Sequence, residues 1–272
     1  MSRKPALLLI PGLVFILFGF AVPSAIMLLA PPSTDTMDVF ARLGAMLTDP
    51  YDLAIIWRTV RIGLIVTAIC IMLGFPIAYL PARSTSRFAG MWLALAIFPL
   101  LLSNVVRTFG WLVVLGANGA IGQLLTGLGL VDRAPQLLYT ELAIVLGLTQ
   151  LFLPLAIISC YSAVAQVDPG LDDAARGLGA SRTRTFWSIV IPLSSPGIVV
   201  AATLVFAGSV TAYTTPYLLG GSSQRMLSTQ LFSYSSVTID WASASATALI
   251  MTLLVFLISG LSSLVARKGA IA

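Results

Sequence analysis

The side chains that most often carry chemistry are scarce in this chain. Its 272 residues include no histidine, which removes Ser-His-Asp catalysis, zinc sites of the His-Glu-x-x-His kind and histidine proton relays. Cys70 and Cys160 lie inside apolar runs, where they act as small hydrophobic residues and are poorly placed for a disulfide. The ATP-binding pattern G-x4-G-K-[ST] is absent. We therefore expect no catalytic residue, no metal site and no bound cofactor in this chain.

A polar stretch, residues 168–192, has a regular amphipathic pattern. Asp168 followed by Pro169 suits the start of a helix, Gly179 can end it in a left-handed conformation, and Ser181 can cap a second helix. The sequence thus predicts a helix, a bend and a helix. The first helix has an apolar stripe at positions i, i+3, i+4 and i+7, formed by Leu171, Ala174, Ala175 and Leu178. Because so short a helix is marginal alone in water, we expect it to lie against another protein.

This stretch resembles a known signature. The membrane subunits of ATP-binding-cassette importers carry E-A-A-x3-G-x9-I-x-L-P, and the chain matches its spacing with Asp173-Ala174-Ala175, Gly179, Ile189 and Ile191-Pro192. Asp for Glu and Ile for Leu are the departures, each conservative in charge or bulk. The resemblance implies that a short coupling helix docks into a cleft on a separate ATPase subunit. The implied coupling residues are Leu171, Asp173, Ala174, Ala175, Leu178, Gly179, Ile189 and Pro192. An ordinary amphipathic loop is the alternative.

The composition is that of a membrane protein. Hydrophobic residues make up 58% of the chain and charged residues 9%, against about 25% charged in soluble domains. The net charge of +5 does not indicate nucleic-acid binding, because the basic residues are scattered at the ends of apolar runs. We predict an all-α polytopic protein surrounded by lipid, with no nucleic-acid partner.

Six apolar runs have the length of membrane spans. They cover residues 6–30, 54–80, 89–115, 142–164, 189–213 and 243–265, so the polar stretch falls between the fourth and fifth. The first run exceeds the apolar core of a signal peptide and is expected to be retained. The third contains Pro99 and is expected to be a kinked or tilted helix. We divide the chain into an N-terminal helix with an outer loop, residues 1–53, and a core permease domain, residues 54–268.

The segments between the runs add short elements. Residues 31–52 should form an outer loop with an amphipathic piece near 39–47, and residues 116–136 an outer loop with a short helix near 122–128. Residues 214–242 are expected to be an outer loop in which Pro216 and Gly220-Gly221 form turns.

Basic residues set the orientation. With both ends inside, the cytoplasmic side holds nine of them and the remainder holds six. The nine are Arg3, Lys4, Arg83, Arg87, Arg176, Arg182, Arg184, Arg267 and Lys268. We therefore expect a multi-pass protein with both termini and residues 168–192 in the cytoplasm. The resemblance to the importers implies that the membrane is the bacterial inner membrane.

Two further segments resemble the spermidine/putrescine branch of these importers. Arg107-Thr108-Phe109-Gly110-Trp111 and then Gly116-Ala117-Asn118-Gly119 match its R-T-x-x-W and G-x-N-G patterns, and residues 213–221, YTTPYLLGG, resemble its F-V-T-P-x-L-L-G-G. Related permeases for iron, thiamine or opine-like compounds carry similar segments. The resemblance implies alternating access, driven by two ATPase subunits that bind ATP and Mg²⁺. It also implies an extracytoplasmic solute-binding protein and a second homologous permease, with a heterodimer favoured.

The cargo passage can be predicted only in outline. Aromatic faces and outer acids suit a cationic cargo, and the candidate pathway residues are Trp111, Glu141, Tyr213, Thr214, Tyr217 and Asp240. Trp111 lies near a predicted helix end and could instead be an interfacial anchor. Arg107, inside an apolar run, would repel a polycation. We predict that it turns toward helix carbonyls or the partner subunit, so that its role is structural or in the pathway.

Two other functional classes are less consistent with the sequence. A secondary transporter needs carboxylates or histidines inside its spans, whereas Glu141 and Asp240 lie at or outside helix ends. An intramembrane enzyme or an assembly scaffold is the third hypothesis, and no nucleophile has a base nearby. The sequence therefore favours a permease of an ATP-driven importer, for polyamines or for a related small organic solute.

Overall fold

The computed structural model describes residues 11–29, 36–84, 86–117 and 119–269. All regular structure in these ranges is helical, as predicted. Arg3, Lys4 and Asn118, on which parts of the topology and of the motif depend, lie outside the described residues.

The structure describes the helices as follows. In chain order they are α1 (Val22–Leu29), α2 (Thr36–Met46), α3 (Pro50–Ala82), α4 (Ala89–Ile97), α5 (Asn104–Leu115), α6 (Ala120–Gly127), α7 (Glu141–Ala165), α8 (Pro169–Gly177), α9 (Arg182–Thr185), α10 (Ile191–Thr211), α11 (Thr214–Gly220), α12 (Leu227–Phe232) and α13 (Trp241–Gly269). Segments of π-helix cover Leu17–Ala21, Phe186–Val190 and Ser233–Thr238, and a 3-10 turn covers Phe98–Leu101.

The apolar helices match the predicted runs. Among the described residues, five helical stretches are long and apolar enough to cross a membrane: Pro50–Ala82, Asn104–Gly127, Glu141–Ala165, Arg182–Thr211 and Trp241–Ser263. Pro11–Ile26 and Ala89–Leu101 are apolar but shorter. Each predicted run therefore contains an apolar helix.

The third predicted run is broken rather than kinked. α4 passes into the 3-10 turn that contains Pro99, and Leu102 and Ser103 then have ψ of 139° and 131°, outside the helical region. Pro99 brings no N–H to the helix, and the extended residues stop the hydrogen-bond ladder before α5 begins at Asn104. The chain at 89–115 is thus two helices.

The core is the packing of α3, α7 and α10, with α13 against α10. Buried residues from these helices, including Ile62, Leu148 and Val205, form a continuous apolar interior. Small residues let the helices approach, as in many membrane proteins: a Cβ added at Gly74 would lie 3.3 Å from the Ala156 Cβ. Cys70 and Cys160 are free and buried in this core, as predicted.

The end of the bundle opposite α8 is more structured than predicted. α2 is the expected amphipathic helix, and its buried Val39 and Met46 belong to an apolar cluster shared with α13. Residues 214–242, predicted as a loop, instead contain α11 and α12, each with buried residues. Both helices are short, and α11 contains Pro216 and is followed by Gly221, residue types that are typical of turns.

α11 is wedged between α5 and α7. A Cβ added at Gly147 would lie 2.6 Å from Leu219 Cδ1 and from Thr215 Cγ2, so α7 needs glycine where α11 crosses it. Gly221, with φ of +60°, ends α11, whereas Pro216 lies within the helix and is not a turn former.

Candidate coupling site and substrate pathway

The coupling loop, residues 168–192, has the conformation that its sequence predicts. The Asp168 side chain accepts a hydrogen bond from the Gly170 N–H at 2.8 Å, and Pro169 is the first residue of α8. At the bend, the Gly179 N–H donates to the Arg176 carbonyl and the Ala180 N–H to the Ala175 carbonyl, both at 3.0 Å. With φ of +88° at Gly179, this pair of bonds is a Schellman motif. The loop is therefore a rigidly capped unit.

The second helix of the loop is part of the fifth span. Ser181 caps α9 by accepting a hydrogen bond from the Arg184 N–H at 3.2 Å. The helical path then continues through the π segment into α10, so the span covers Arg182–Thr211 and begins before the predicted residue 189. Only residues 178–181, which contain the bend at Gly179, separate α8 from this span.

One face of α8 is free. Leu178 is 91% exposed and Leu171 42% exposed, and no residue of the helix is buried within this chain. Ala174 is also exposed, and Ala175 is partly covered. The apolar stripe of α8 therefore lies largely outside the core of this chain.

The other side of α8 contacts the end of α3. Arg83 Nε lies 3.2 Å from Asp172 Oδ2, and both side chains are mostly buried. Arg83 Nη1 donates to the Val167 carbonyl at 2.9 Å. The sequence gives no local signal for this contact, because the two residues belong to elements far apart in the chain.

Two of the predicted pathway residues stack together. The rings of Tyr213 and Tyr217 are 5.1 Å apart at 28°, and the Phe232 ring lies 4.4 Å from that of Tyr213. We call Tyr213, Tyr217 and Phe232 the aromatic group. Phe232, from α12, was not predicted. Tyr217 is 52% exposed, so part of its ring remains available. Thr214, the first residue of α11, lies between the two tyrosines in the chain.

Trp111 and Arg107 lie one turn apart on α5. The Trp111 indole N–H donates to Gln150 Oε1 at 2.6 Å, a partner on α7 that the sequence does not indicate. Arg107 Nε and Nη1 are buried and have no hydrogen-bond partner among the described residues. These two nitrogens thus do not make the predicted contact with helix carbonyls of the described residues, and contact of Arg107 with the partner subunit stays a prediction.

Glu141 is held by two arginines. Arg58 Nε donates to Glu141 Oε1 at 3.2 Å, and Arg61 Nη2 contacts both carboxylate oxygens. Arg58 also donates from Nη1 to the Arg225 carbonyl at 3.2 Å. The local charge is thus positive, although Glu141 is an acid.

Asp240 belongs to a network at the start of α13. Its carboxylate accepts from the Ser243 N–H at 3.0 Å and from Ser243 Oγ at 2.6 Å. Arg42 donates to Ser243 Oγ at 2.9 Å and to the Tyr234 hydroxyl at 3.2 Å. Burial alone would raise the pKa of Asp240, but the Ser243 hydrogen bonds and the Arg42 charge outweigh it and hold that pKa below its usual value. This network fastens α2 to α13.

Comparison with known proteins identifies relatives of this architecture. The family model described as "Binding-protein-dependent transport system inner membrane component" matches residues 74–269. The spermidine/putrescine transport system permease protein PotB of Haemophilus influenzae is 29% identical over 82% of this chain and 79% of its own length. PotB of Salmonella typhimurium is 30% identical over 80% of this chain and 75% of its own length.

A relative with a different cargo also matches. The molybdenum transport system permease protein ModB of Azotobacter vinelandii is 32% identical over 68% of this chain and 81% of its own length. Among solved structures, a bacterial alginate ABC transporter superposes with a TM-score of 0.74 at 16% identity, covering 98% of this chain and 95% of the other. The MetNI methionine ABC transporter superposes with a TM-score of 0.63 at 16% identity, over 80% of this chain and 95% of the other. At these identities the structures support the fold.

Proposed function

Because this chain belongs to the family of binding-protein-dependent transport system inner membrane components, we propose that it carries polyamines, such as spermidine and putrescine, through an ATP-driven importer. It is a multi-pass permease subunit of the bacterial inner membrane. The observation that supports the cargo is the similarity to spermidine/putrescine permeases over four fifths of the chain.

The energy comes from partner subunits. α8 presents Leu171, Ala175 and Leu178 to an ATPase subunit, which binds ATP and Mg²⁺ in place of this chain. Closure of two ATPase subunits displaces α8, and the bend at Gly179 passes that displacement to the Arg182–Thr211 helix. The chain itself binds no ATP and performs no hydrolysis. A homologous second permease, in a heterodimer, completes the passage, and an extracytoplasmic solute-binding protein delivers the cargo.

The aromatic group and Trp111 form the cation contact of the passage in this proposal. Aromatic faces attract ammonium groups without a fixed counter-charge, which lets a polycation leave as well as enter. Thr214 adds a hydroxyl beside them. Glu141 and Asp240 lie at the outer end of the passage. There Glu141 would exchange an arginine contact, and Asp240 its serine contact, for the cargo.

An oxyanion importer is the second candidate. Two nitrogens of the Arg107 guanidinium are buried and have no hydrogen-bond partner among the described residues, and such a group suits an anion better than a polycation. The molybdenum permease among the relatives points the same way.

Transport by the assembled complex separates the two. The permease is reconstituted in vesicles with its ATPase subunits, its partner permease and its binding protein, and is given labelled spermidine or labelled molybdate. ATP-dependent accumulation of spermidine alone supports the proposal. Accumulation of molybdate without spermidine would replace it with the oxyanion importer.

A further inference from the structure

Arg83 lies where three elements meet. It is the C-cap residue directly after α3, and its backbone N–H donates to the Tyr79 carbonyl at 3.1 Å. Its Nη1 donates at 2.9 Å to the carbonyl of Val167, just beyond the end of α7. Its Nε is 3.2 Å from Asp172 Oδ2, in the first turn of α8. One guanidinium therefore contacts the ends of two spans and the beginning of the coupling helix.

Each charge of the pair also suits its own helix end. Arg83 lies at the C-terminal ends of α3 and α7, where free carbonyls give a negative potential, and Asp172 lies near the N-terminus of α8, where free N–H groups give a positive one. The contact is consequently favoured by helix dipoles as well as by the attraction between the two side chains. Of the ion pairs within the described residues, it is the one that α8 makes.

The pairing is nevertheless incomplete. Although Nε is close to Oδ2, it makes no hydrogen bond, and Arg83 Nη2 and Asp172 Oδ1 are also buried without a hydrogen-bond partner among the described residues. The side chains are 11% and 18% exposed, so water compensates little. Nε and Nη2 form the edge of a guanidinium that binds both oxygens of a carboxylate. A small shift of α8 against α3 would therefore satisfy all the unpaired atoms at once.

We propose that Arg83 is a positioning residue that transmits the movement of α8 to α3, and that its contact with Asp172 closes into a two-bond pair when an ATPase subunit loads α8. This inference rests on the proposed function. The coupling helix then drives two helices: the Arg182–Thr211 helix through the backbone at Gly179, and α3 through Arg83. Because α3 packs along α7 and α10, the bundle moves as one body.

The test compares four variants in the reconstituted complex. Arg83→Gln and Asp172→Asn remove one partner each, the double variant removes both, and Arg83→Lys keeps the charge but cannot make the two-bond fork. Arg87→Gln is the matched control, since Arg87 is exposed on the same connection and its guanidinium lies over the Phe88 ring at 5.0 Å. The measurements are co-elution of the ATPase subunits and the number of cargo molecules carried per ATP hydrolysed.

The ATPase subunits should co-elute with every variant. Cargo carried per ATP should fall about tenfold in Arg83→Gln and in Asp172→Asn, and less in Arg83→Lys. The double variant should be no worse than either single one, because both remove the same contact. Arg87→Gln should match the unaltered chain.

Two results would overturn the inference. One is unchanged cargo per ATP in both Arg83→Lys and Asp172→Asn, variants that keep either the charge or the size of the side chain and so remain foldable. The other is a double variant whose losses multiply, which would make the two residues independent. Failure of the proposed ATP-driven import looks different, because the ATPase subunits would then not co-elute even with the unaltered chain. A cargo other than spermidine leaves the comparison of the variants unchanged, since cargo per ATP is then counted with that cargo.

Discussion

The two ends of the helical bundle are stabilised by different kinds of contact, local in sequence at one end and long-range at the other. The coupling loop is specified by neighbours in sequence: Asp168 caps α8, Gly179 ends it and Ser181 caps α9, all through hydrogen bonds that span a few residues. The opposite end is held by contacts between distant residues, such as Arg42 with Ser243 and Arg58 with Glu141. The exposed face of α8 is thus formed by local contacts, whereas the end with the aromatic group depends on contacts between distant parts of the fold.

The largest effect that this comparison predicts comes from the free face of α8. Ala175→Glu places a charge on the docking stripe and should abolish co-elution of the ATPase subunits while leaving the chain in the membrane. Gly177→Glu is the control, since residue 177 points away from residue 175 on a helix and an added Cβ there meets no atom within 4 Å. Equal co-elution from both variants would mean that this face does not dock.

The next effect comes from the bend. Gly179 has φ of +88° and open space around it, so Gly179→Val acts through the backbone alone and costs about 1–3 kcal/mol locally. Transport by Gly179→Val should fall severely. Transport by Gly179→Asn should fall less, because asparagine tolerates a left-handed conformation better than valine does. Gly177→Val serves as the control for a branched residue in α8. Uptake of labelled spermidine is compared between these variants at equal membrane levels. Unchanged uptake by Gly179→Val would argue against a rigid bend.

At the opposite end, the effect on transport should be intermediate and specific to the ring. Tyr217→Ala removes an exposed ring of the aromatic group and should lower spermidine uptake about fivefold, a loss of the order expected for a partly exposed cation–π contact. Tyr217→Phe should retain most of the uptake.

Arg107→Gln should change spermidine uptake little, and Asp240→Asn should reduce it. A large loss in Arg107→Gln with none in Asp240→Asn would favour an anionic or zwitterionic cargo.

The smallest effect is on acid stability. Because the pKa of Asp240 is lowered in the folded chain, its contribution is present above the usual carboxyl pKa of about 3.9 and is lost as pH falls through the folded value. Thermal melting in detergent should therefore show Asp240→Asn less stable than the unaltered chain at pH 6, with the difference shrinking below about pH 4. A difference in thermal stability that stays constant over this pH range would show that the ionised carboxylate does not contribute.

The same contrast explains what could be predicted from the sequence. The caps and the bend of the coupling loop were predicted residue by residue, because each depends on a side chain and a backbone group a few positions away. The break at Leu102–Ser103 was missed, since proline alone is compatible with a kink. α11 and α12 were predicted as loop, because their burial, of α11 against α5 and α7 and of α12 mainly against α13, is set by tertiary packing.

Residues with distant partners could not be found in this way. Phe232 completes the aromatic group, Gln150 binds Trp111, and Arg83 meets Asp172, but none of these pairs has a spacing that a helix or a turn would reveal. The sequence signal for Arg83 was its charge at the end of an apolar run, which the positive-inside rule already explained without a partner.

Cross-linking tests most directly whether α8 is the contact with an ATPase subunit. Cysteine is placed singly at Leu178, at Ser181 or, on the opposite end, at Ser223, in a chain that carries Cys70→Ala and Cys160→Ala. The assembled complex is treated with a short cross-linker that joins a thiol to an amine. Leu178→Cys should join the permease to the ATPase subunit, and in intact cells an impermeant thiol reagent should label Ser223→Cys but not Ser181→Cys. Absence of a cross-link at Leu178, together with labelling of Ser181→Cys from outside, would contradict the account.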